Sequence, residues 1–368
     1  MTPADLRPLV PATSVCAYLN TATYGPAPRP VVEALDRFTR AWSAGSGEFE
    51  DWERTAEECR RLFAGLIHTR AERIAVQPFV SGSAGMVASQ LPAGARVVVP
   101  EMEFTSNLWP WLQQRERGVK VTLVAADAGR LPRQRFADAI AGGADLVAVS
   151  AVQSSNGFRT PLAGLAELTH RAGGLLFVDA CQAAGAIDLD PARDGFDILA
   201  TGSYKWLMGP RGAGYLYLSE RAQDRLRPAA PAWKSARDPS RSYYGAEVDL
   251  SPTASRFDSS LSWISMAGDR EALRLVTALG AAEIERHDMA LAARFRAGLD
   301  AIGLSQDRWA AAERSPIVAV DLADAAGTVG RLRAAGVIAA QRAGGARFSF
   351  HAFNDDADVD RALEALAA

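Results

Sequence analysis

Short apolar runs alternate with amphipathic stretches along the first two thirds of the chain. Residues 96–99 (RVVV), 119–124 (VKVTLV), 146–149 (LVAV), 175–178 (LLFV), 196–200 (FDILA) and 214–218 (GYLYL) are brief and mostly apolar, and read as strands of a covered sheet. Between several of them lie helical patterns, such as FADAIA from Phe136 and PLAGLAELTHRAG from Pro161. This alternation predicts an α/β fold whose sheet is mainly parallel and carries helices on both faces. Periodicity fails from about residue 228 to 260, a stretch that opens PAAPAWKSARDPSRSYYG, and a long functional loop is expected there. A helical segment over 266–293 follows, then a short α+β pattern with strands at 317–320 and 346–350 and a last helix from Asp356. Ligands of such sheets gather beyond the carboxyl ends of the strands, so the polar residues directly after the apolar runs come first.

Composition narrows the classes. With 48% apolar residues in a chain of 368, there is material for a large core plus a smaller one, which argues against disorder. A net charge of −3 without acidic or basic blocks offers no stripe to nucleic acid or a membrane surface, and neither partner is expected. Cys16, Cys59 and Cys181 form no CxxC pair and the histidines are scattered, so neither a disulfide framework nor a metal site is expected. The start MTPADLRPLVPATS lacks a basic-then-apolar leader and no apolar run reaches about 18 residues; the expectation is a cytoplasmic protein.

The sharpest chemical signal is LLFVDACQAAGA followed by FDILATGSYKWLMGPRGAGYLYL. One strand delivers Asp179 at its carboxyl end, and a second leads to Lys205 just before the turn GPRGAG. Alone, an aspartate after a strand is commonly a cap and a lysine is commonly solvated. Together they offer a pairing. A desolvated lysine amine can hold an aldehyde as an imine. A carboxylate can keep a pyridine nitrogen protonated, so that the ring absorbs a carbanion's electrons. If a helical turn starts at Asp179, Gln182 faces the same side. VSGSAGMVASQL adds phosphate chemistry: Ser81, Gly82, Ser83 and Ala84 open an apolar helical pattern whose N–H groups, hydroxyls and dipole favour an anion. The same pattern would suit an ordinary capped helix.

In this order and wording, the chain resembles the aminotransferase class V group of fold-type I pyridoxal 5′-phosphate (PLP) enzymes. That group includes cysteine desulfurases, selenocysteine lyases, isopenicillin N epimerase and kynureninase. YLNTATYGPAPRPVVEAL, EMEFTSNLWPW, SRFDSSLSW and RFSFHAFNDDADVDRALEAL are similar to further family segments, so the likeness runs over most of the chain. It implies a large PLP-binding domain over 20–260 and a smaller α+β domain from 1–19 with 261–368. It also implies PLP on Lys205, Asp179 at the pyridinium nitrogen, Gln182 on the phenolic oxygen and Phe104 stacked on the ring. Ser81, Gly82, Ser83, Ala84, Ser203 and Tyr204 are the implied phosphate contacts, with Ser262 reaching across a homodimer. An amino-acid substrate would present its carboxylate to Arg342 in preference to Arg347, with Tyr24 nearby.

Four departures bear on the reaction. Desulfurases have histidine where Tyr204 and Phe104 stand. A phenol still donates to phosphate, but phenylalanine carries no proton, which leaves acid–base work to Lys205 with Tyr24 or Tyr204. Ser154 in VQSSNG falls where many relatives have an asparagine that touches substrate and cofactor; Gln153 and Asn156 are the substitutes at hand. The segment QRAGGARFSFHAF has no cysteine where desulfurases keep the one that accepts sulfur, and Cys181 reads as a small packed side chain. The expected activity is C–S bond cleavage in a cysteine-type substrate or conjugate. Transamination, epimerisation and decarboxylative oxidation are the alternatives, while the intact Lys205 and Asp179 speak against a non-enzymatic module.

Overall fold

The computed structural model describes residues 1–304 and 309–368. Its central seven-stranded sheet comprises β1 (Ile74–Val76), β2 (Arg96–Pro100), β3 (Lys120–Val124), β4 (Leu146–Ser150), β5 (Leu175–Asp179), β6 (Ile198–Gly202) and β7 (Gly214–Leu218). The spatial order is β1-β7-β6-β5-β4-β2-β3. Pairings from β3 through to β6 are parallel, whereas β7 runs antiparallel to both β6 and β1. The apolar runs are unbroken because both faces are covered. Val98, Val147, Val149, Leu176, Val178 and Leu199 bury in one cluster, while Val97, Val99, Leu146, Ala148, Phe177 and Ile198 bury in another. A strand dry on both sides has no polar positions to alternate with. Each valine, leucine, isoleucine or phenylalanine among them contributes about 1.5–3 kcal/mol relative to exposure.

The helices around the sheet include α1 (Arg29–Ser43), α2 (Phe49–Leu66), α3 (Val80–Ala88), α4 (Arg133–Ile140) and α5 (Leu162–Arg171). The single helix expected over 266–293 is two, α6 (Trp263–Leu279) and α7 (Ala281–Ala301), because Gly280 between them sits at φ +86°, where L side chains rarely go. The 228–260 stretch contains only single-turn helices such as Trp233–Ser235 and Ala254–Phe257. It is fastened by buried ions: Lys234 meets Glu53 at 2.5 Å and Glu57 at 3.2 Å, and Arg60 meets Asp258 at 2.6 Å. Among the described residues no helix is long and apolar enough to cross a membrane.

Toward the carboxyl end, β8 (Ile317–Asp321), β9 (Ala340–Arg342) and β10 (Gly345–Ser349) form an antiparallel sheet in the order β9-β10-β8. Helices α8 (Ala325–Ala334) and α9 (Asp356–Ala367) accompany it. Its core joins Leu291, Phe295, Val320, Leu332, Phe348 and Val359 with Ala17 and Leu19 from the start of the chain. Met266, Leu273, Val276 and Ile284 instead bury with Phe63 in the large cluster. We propose that the domain seam crosses α7 between Ile284 and Leu291, where the helix passes from one core to the other, in place of the boundary expected at residue 261.

Candidate active site

Strands β5 and β6 are neighbours, and the residues beyond their carboxyl ends share a cavity of about 640 Å³. Lys205 lies in a turn just past β6 and is buried. The turn is fixed from several directions. Met208 N–H donates to the Lys205 carbonyl at 3.0 Å, Gly209 N–H to that of Ser203 at 3.0 Å, and Gly25 N–H to that of Tyr204 at 2.9 Å. Met208 is held at φ +57°, a strain of about 1–3 kcal/mol that the surrounding contacts sustain. Gly25 lies flat against the turn; a Cβ there would collide with the Lys205 carbonyl oxygen.

Asp179 ends β5 and lines the same cavity. Burial raises its pKa above the ordinary carboxylate range, opposed by the Cys181 N–H at 2.8 Å and the charge of Lys205. Asp179 and Lys205 form no direct ion pair, so each is open to a third group placed between them. Gln182 also lines the cavity. Its carbonyl oxygen accepts from the Trp206 indole at 2.9 Å and its amide donates to the Ala22 carbonyl at 2.9 Å, which leaves one amide N–H for a ligand. Phe104 is half exposed at the mouth, with Lys205 Nζ 5.8 Å from its ring centroid; the Tyr204 ring is 5.6 Å from the same nitrogen.

The other expected residues divide. Ser81, Ser154 and Tyr204 line the cavity. Gly82, Ser83 and Ala84 do not, although the buried Ser83 hydroxyl has no partner among the described residues. Ser203 lies behind the cavity, fully buried, and its hydroxyl donates to Asp269, as does that of Tyr215. Ser262 is bonded to the Ser265 hydroxyl at 2.7 Å outside the lining. Gln153 is turned to Glu103 at 2.6 Å and Asn156 to the Gly129 carbonyl at 2.9 Å. Tyr24 is outside the lining, its ring 5.5 Å from that of Tyr18.

The two rival arginines converge. Arg342 is exposed and reaches the Thr23 hydroxyl at 3.4 Å, while Arg347 is buried and reaches the same hydroxyl at 2.8 Å. Arg347 also donates to the Ser154 carbonyl at 2.5 Å, and its Nε has no partner among the described residues. Neither forms an ion pair with an acid among those residues. Burial, reinforced by the charge of Arg342, pushes Arg347 down to about 10.

Two residues escaped the sequence reading. Glu103 is buried and accepts from Ser150 N–H at 2.7 Å, Ser150 Oγ at 2.5 Å, Gln153 at 2.6 Å and Asn107 at 3.1 Å, tying the turn of Phe104 to the end of β4. Burial pushes it up to about 7. Arg211, in the GPRGAG turn, lines the cavity. The signals were present as an acid directly before the aromatic and a cation directly after the lysine turn. Cys181 lines the cavity as well, but burial and Asp179 push its thiol up to about 11.

A ring with a basic nitrogen, a phenolic oxygen and a phosphate fits this donor set: a buried carboxylate, a free amide N–H, an aromatic face and a lysine around one space. Comparison with known proteins agrees. The aminotransferase class-V family matches residues 17–362. An uncharacterised aminotransferase of Bacillus subtilis (strain 168) is 29% identical over 376 residues, covering 100% of this chain and 98% of its own. The apo structure of a cysteine desulfurase from Thermococcus onnurineus NA1 superposes with a TM-score of 0.86 at 24% identity, over 99% of this chain and 97% of that one. A cystine C–S lyase complexed with its product cysteine persulfide gives 0.86 at 19% identity, over 97% and 99%. The chain belongs to the aminotransferase class-V family and is a pyridoxal-phosphate-dependent enzyme with the fold-type I architecture.

Proposed function

We propose that the chain is a C–S lyase acting on a cysteine-type amino acid or conjugate, with PLP carried on Lys205. One observation carries this reading: Lys205 and Asp179 face one cavity whose only cysteine among the described residues, Cys181, is held as a thiol. A thiolate that could accept sulfur is missing, while the groups for breaking a bond at Cα are in place. Bound PLP supplies the electron sink for the pair left at Cα. Asp179 would hold a proton at the pyridine nitrogen. Gln182 offers its remaining N–H to the phenolic oxygen. Lys205 would serve as the base for the Cα proton, since Phe104 can move none. Tyr204, a phenol that burial keeps protonated, is the donor for the departing sulfur. Arg347, with Arg342 beside it, holds the substrate carboxylate, which reverses the order of the two arginines expected from sequence.

Transamination is the second reading, favoured by the end-to-end match to an aminotransferase and by its need for a single proton-moving lysine. Incubation with cystine, cysteine and S-alkylcysteines, with and without 2-oxo acids, separates the two. Elimination yields pyruvate, ammonia and a sulfur product without any 2-oxo acid. A new amino acid formed only when a 2-oxo acid is present, with no ammonia, would refute the lyase reading. We also propose a homodimer, in which a second copy covers the exposed Phe79, Phe104, Tyr244 and Val248; a fully active species with the sedimentation mass of one chain would overturn it.

A further inference from the structure

We propose that Arg211 is an anion-binding residue of the cavity and that its ligand is the phosphate of the cofactor, an inference that rests on Lys205 as the carrier. The first argument is charge. A phosphate monoester brings roughly −1.5 to −2 at neutral pH. The cations lining the cavity are Lys205 and Arg211, and Asp179 is its only acid, among the described residues. Lys205 is committed to the aldehyde end. The histidine that desulfurases place before the lysine is here Tyr204, which brings no positive charge. Ser203, the other expected donor, gives its hydroxyl to Asp269. The hydroxyl of Ser81 and the N–H groups of α3 are neutral. Of the side chains around this space, Arg211 alone is left to neutralise a dianion.

The second argument is placement. The Arg211 guanidinium carbon lies 5.1 Å from the centroid of the Tyr204 ring, and Lys205 Nζ lies 5.6 Å from the same centroid. Stacking on an aromatic ring orients the planar fork of donors, which a phosphate can take in pairs. The backbone beneath is anchored, since the Arg211 carbonyl accepts from the Ser265 hydroxyl at 3.0 Å at the start of α6. The third argument is availability. Arg211 is exposed and forms no ion pair with a carboxylate among the described residues, so its charge is not already answered. An acidic side chain of a substrate is the other anion that chemistry of this kind would take.

The test titrates apoprotein with PLP and, separately, with pyridoxal, which lacks the phosphate, following the absorbance of lysine-bound cofactor. Arg211→Ala should weaken PLP by roughly ten- to a hundredfold while changing pyridoxal by less than about threefold. Arg211→Lys should recover part of the loss because charge is restored without the fork. Equal weakening of both ligands, or unchanged PLP affinity, overturns the proposal. So does unchanged PLP affinity with a KM at least about tenfold higher for substrates carrying a second acidic group, because the anion is then the substrate's. Failure of the wild-type protein to load PLP on Lys205 would instead sink the functional reading itself.

Discussion

Arg347 carries a positive charge into the protein with no acid among the described residues to meet it. Its pKa, pushed down to about 10 by burial, makes the cation roughly 3 kcal/mol less favourable than in water at about 1.4 kcal/mol per tenfold. A substrate carboxylate arriving there relieves part of that penalty and adds charge-assisted hydrogen bonds of about 1.5–3 kcal/mol each. Arg347→Ala should therefore raise KM for the amino-acid substrate by about ten- to a hundredfold, with the spectrum of bound cofactor retained. Arg342→Ala should cost less, because an exposed guanidinium is screened by water. Arg347→Lys should recover little, since a point charge does not reproduce a fork. The measurements are steady-state kinetics on whichever substrate the screen identifies, with absorbance titrations by unreactive carboxylate analogues. Both arginines bond the Thr23 hydroxyl, so the double variant should lose less than the sum of the two single losses. A larger effect at Arg342 reverses the assignment. If neither substitution moves KM, the carboxylate is held elsewhere and the reading of this pair fails.

Two further outcomes follow from buried groups. Glu103, raised to about 7 from 4.5, keeps in the folded state a proton that the unfolded chain has lost. Its contribution is full below about pH 4.5 and disappears as pH rises toward about 7, amounting to about 3 kcal/mol at most. Glu103→Gln should flatten the fall in stability measured by urea unfolding at pH 5 and pH 7.5; an unchanged slope would mean that Glu103 is ionised throughout. Gly25→Ala should cost about 1–3 kcal/mol and loosen cofactor loading, because the new methyl strikes the Lys205 carbonyl. Gly65→Ala, with nothing within 4 Å of the added methyl, is the control, and equal behaviour of the two would show that the close approach is unimportant.

Most central-sheet strands that sequence revealed are dry on both faces, because burial on two sides leaves a run with nothing polar in it; the edge strand β3, with Lys120, Thr122 and Leu123 exposed, is the exception. β1 has only three residues and borrows its place from pairing with β7, so no local pattern marks it. β9 is shorter in apolar content still: Ala340, Gln341 and Arg342 form a strand because the hairpin to β10 places them opposite Arg347, Ala346 and Gly345. The seam proposed within α7 has no local mark for a related reason. α7 carries apolar residues along its length, and only tertiary contacts divide Ile284 from Leu291.

The site was legible where a residue follows a strand end or opens a helix, as Asp179, Gln182, Tyr204, Lys205 and Ser81 do. It was not legible where a side chain's partner is distant in the chain. Ser203 looks like a phosphate donor until Asp269 takes its hydroxyl, and nothing local marks Glu103 as buried before Ser150 and Gln153 close around it. Arg342 and Arg347 are alike in sequence, and it is the pairing of β10 with both neighbours that buries one and leaves the other at the surface. The same logic explains why the two aromatic departures matter together. Histidines at positions 104 and 204 would each have brought a proton and a possible charge. Phe104 and Tyr204 bring neither charge, and only Tyr204 brings a proton. On the proposed reading, the proton work falls to Lys205 and Tyr204, and the charge work to the arginine stacked against that same tyrosine. A variant that restores histidine at 204 should accordingly reduce the dependence of PLP binding on Arg211, below about pH 6.5 where an imidazole is charged.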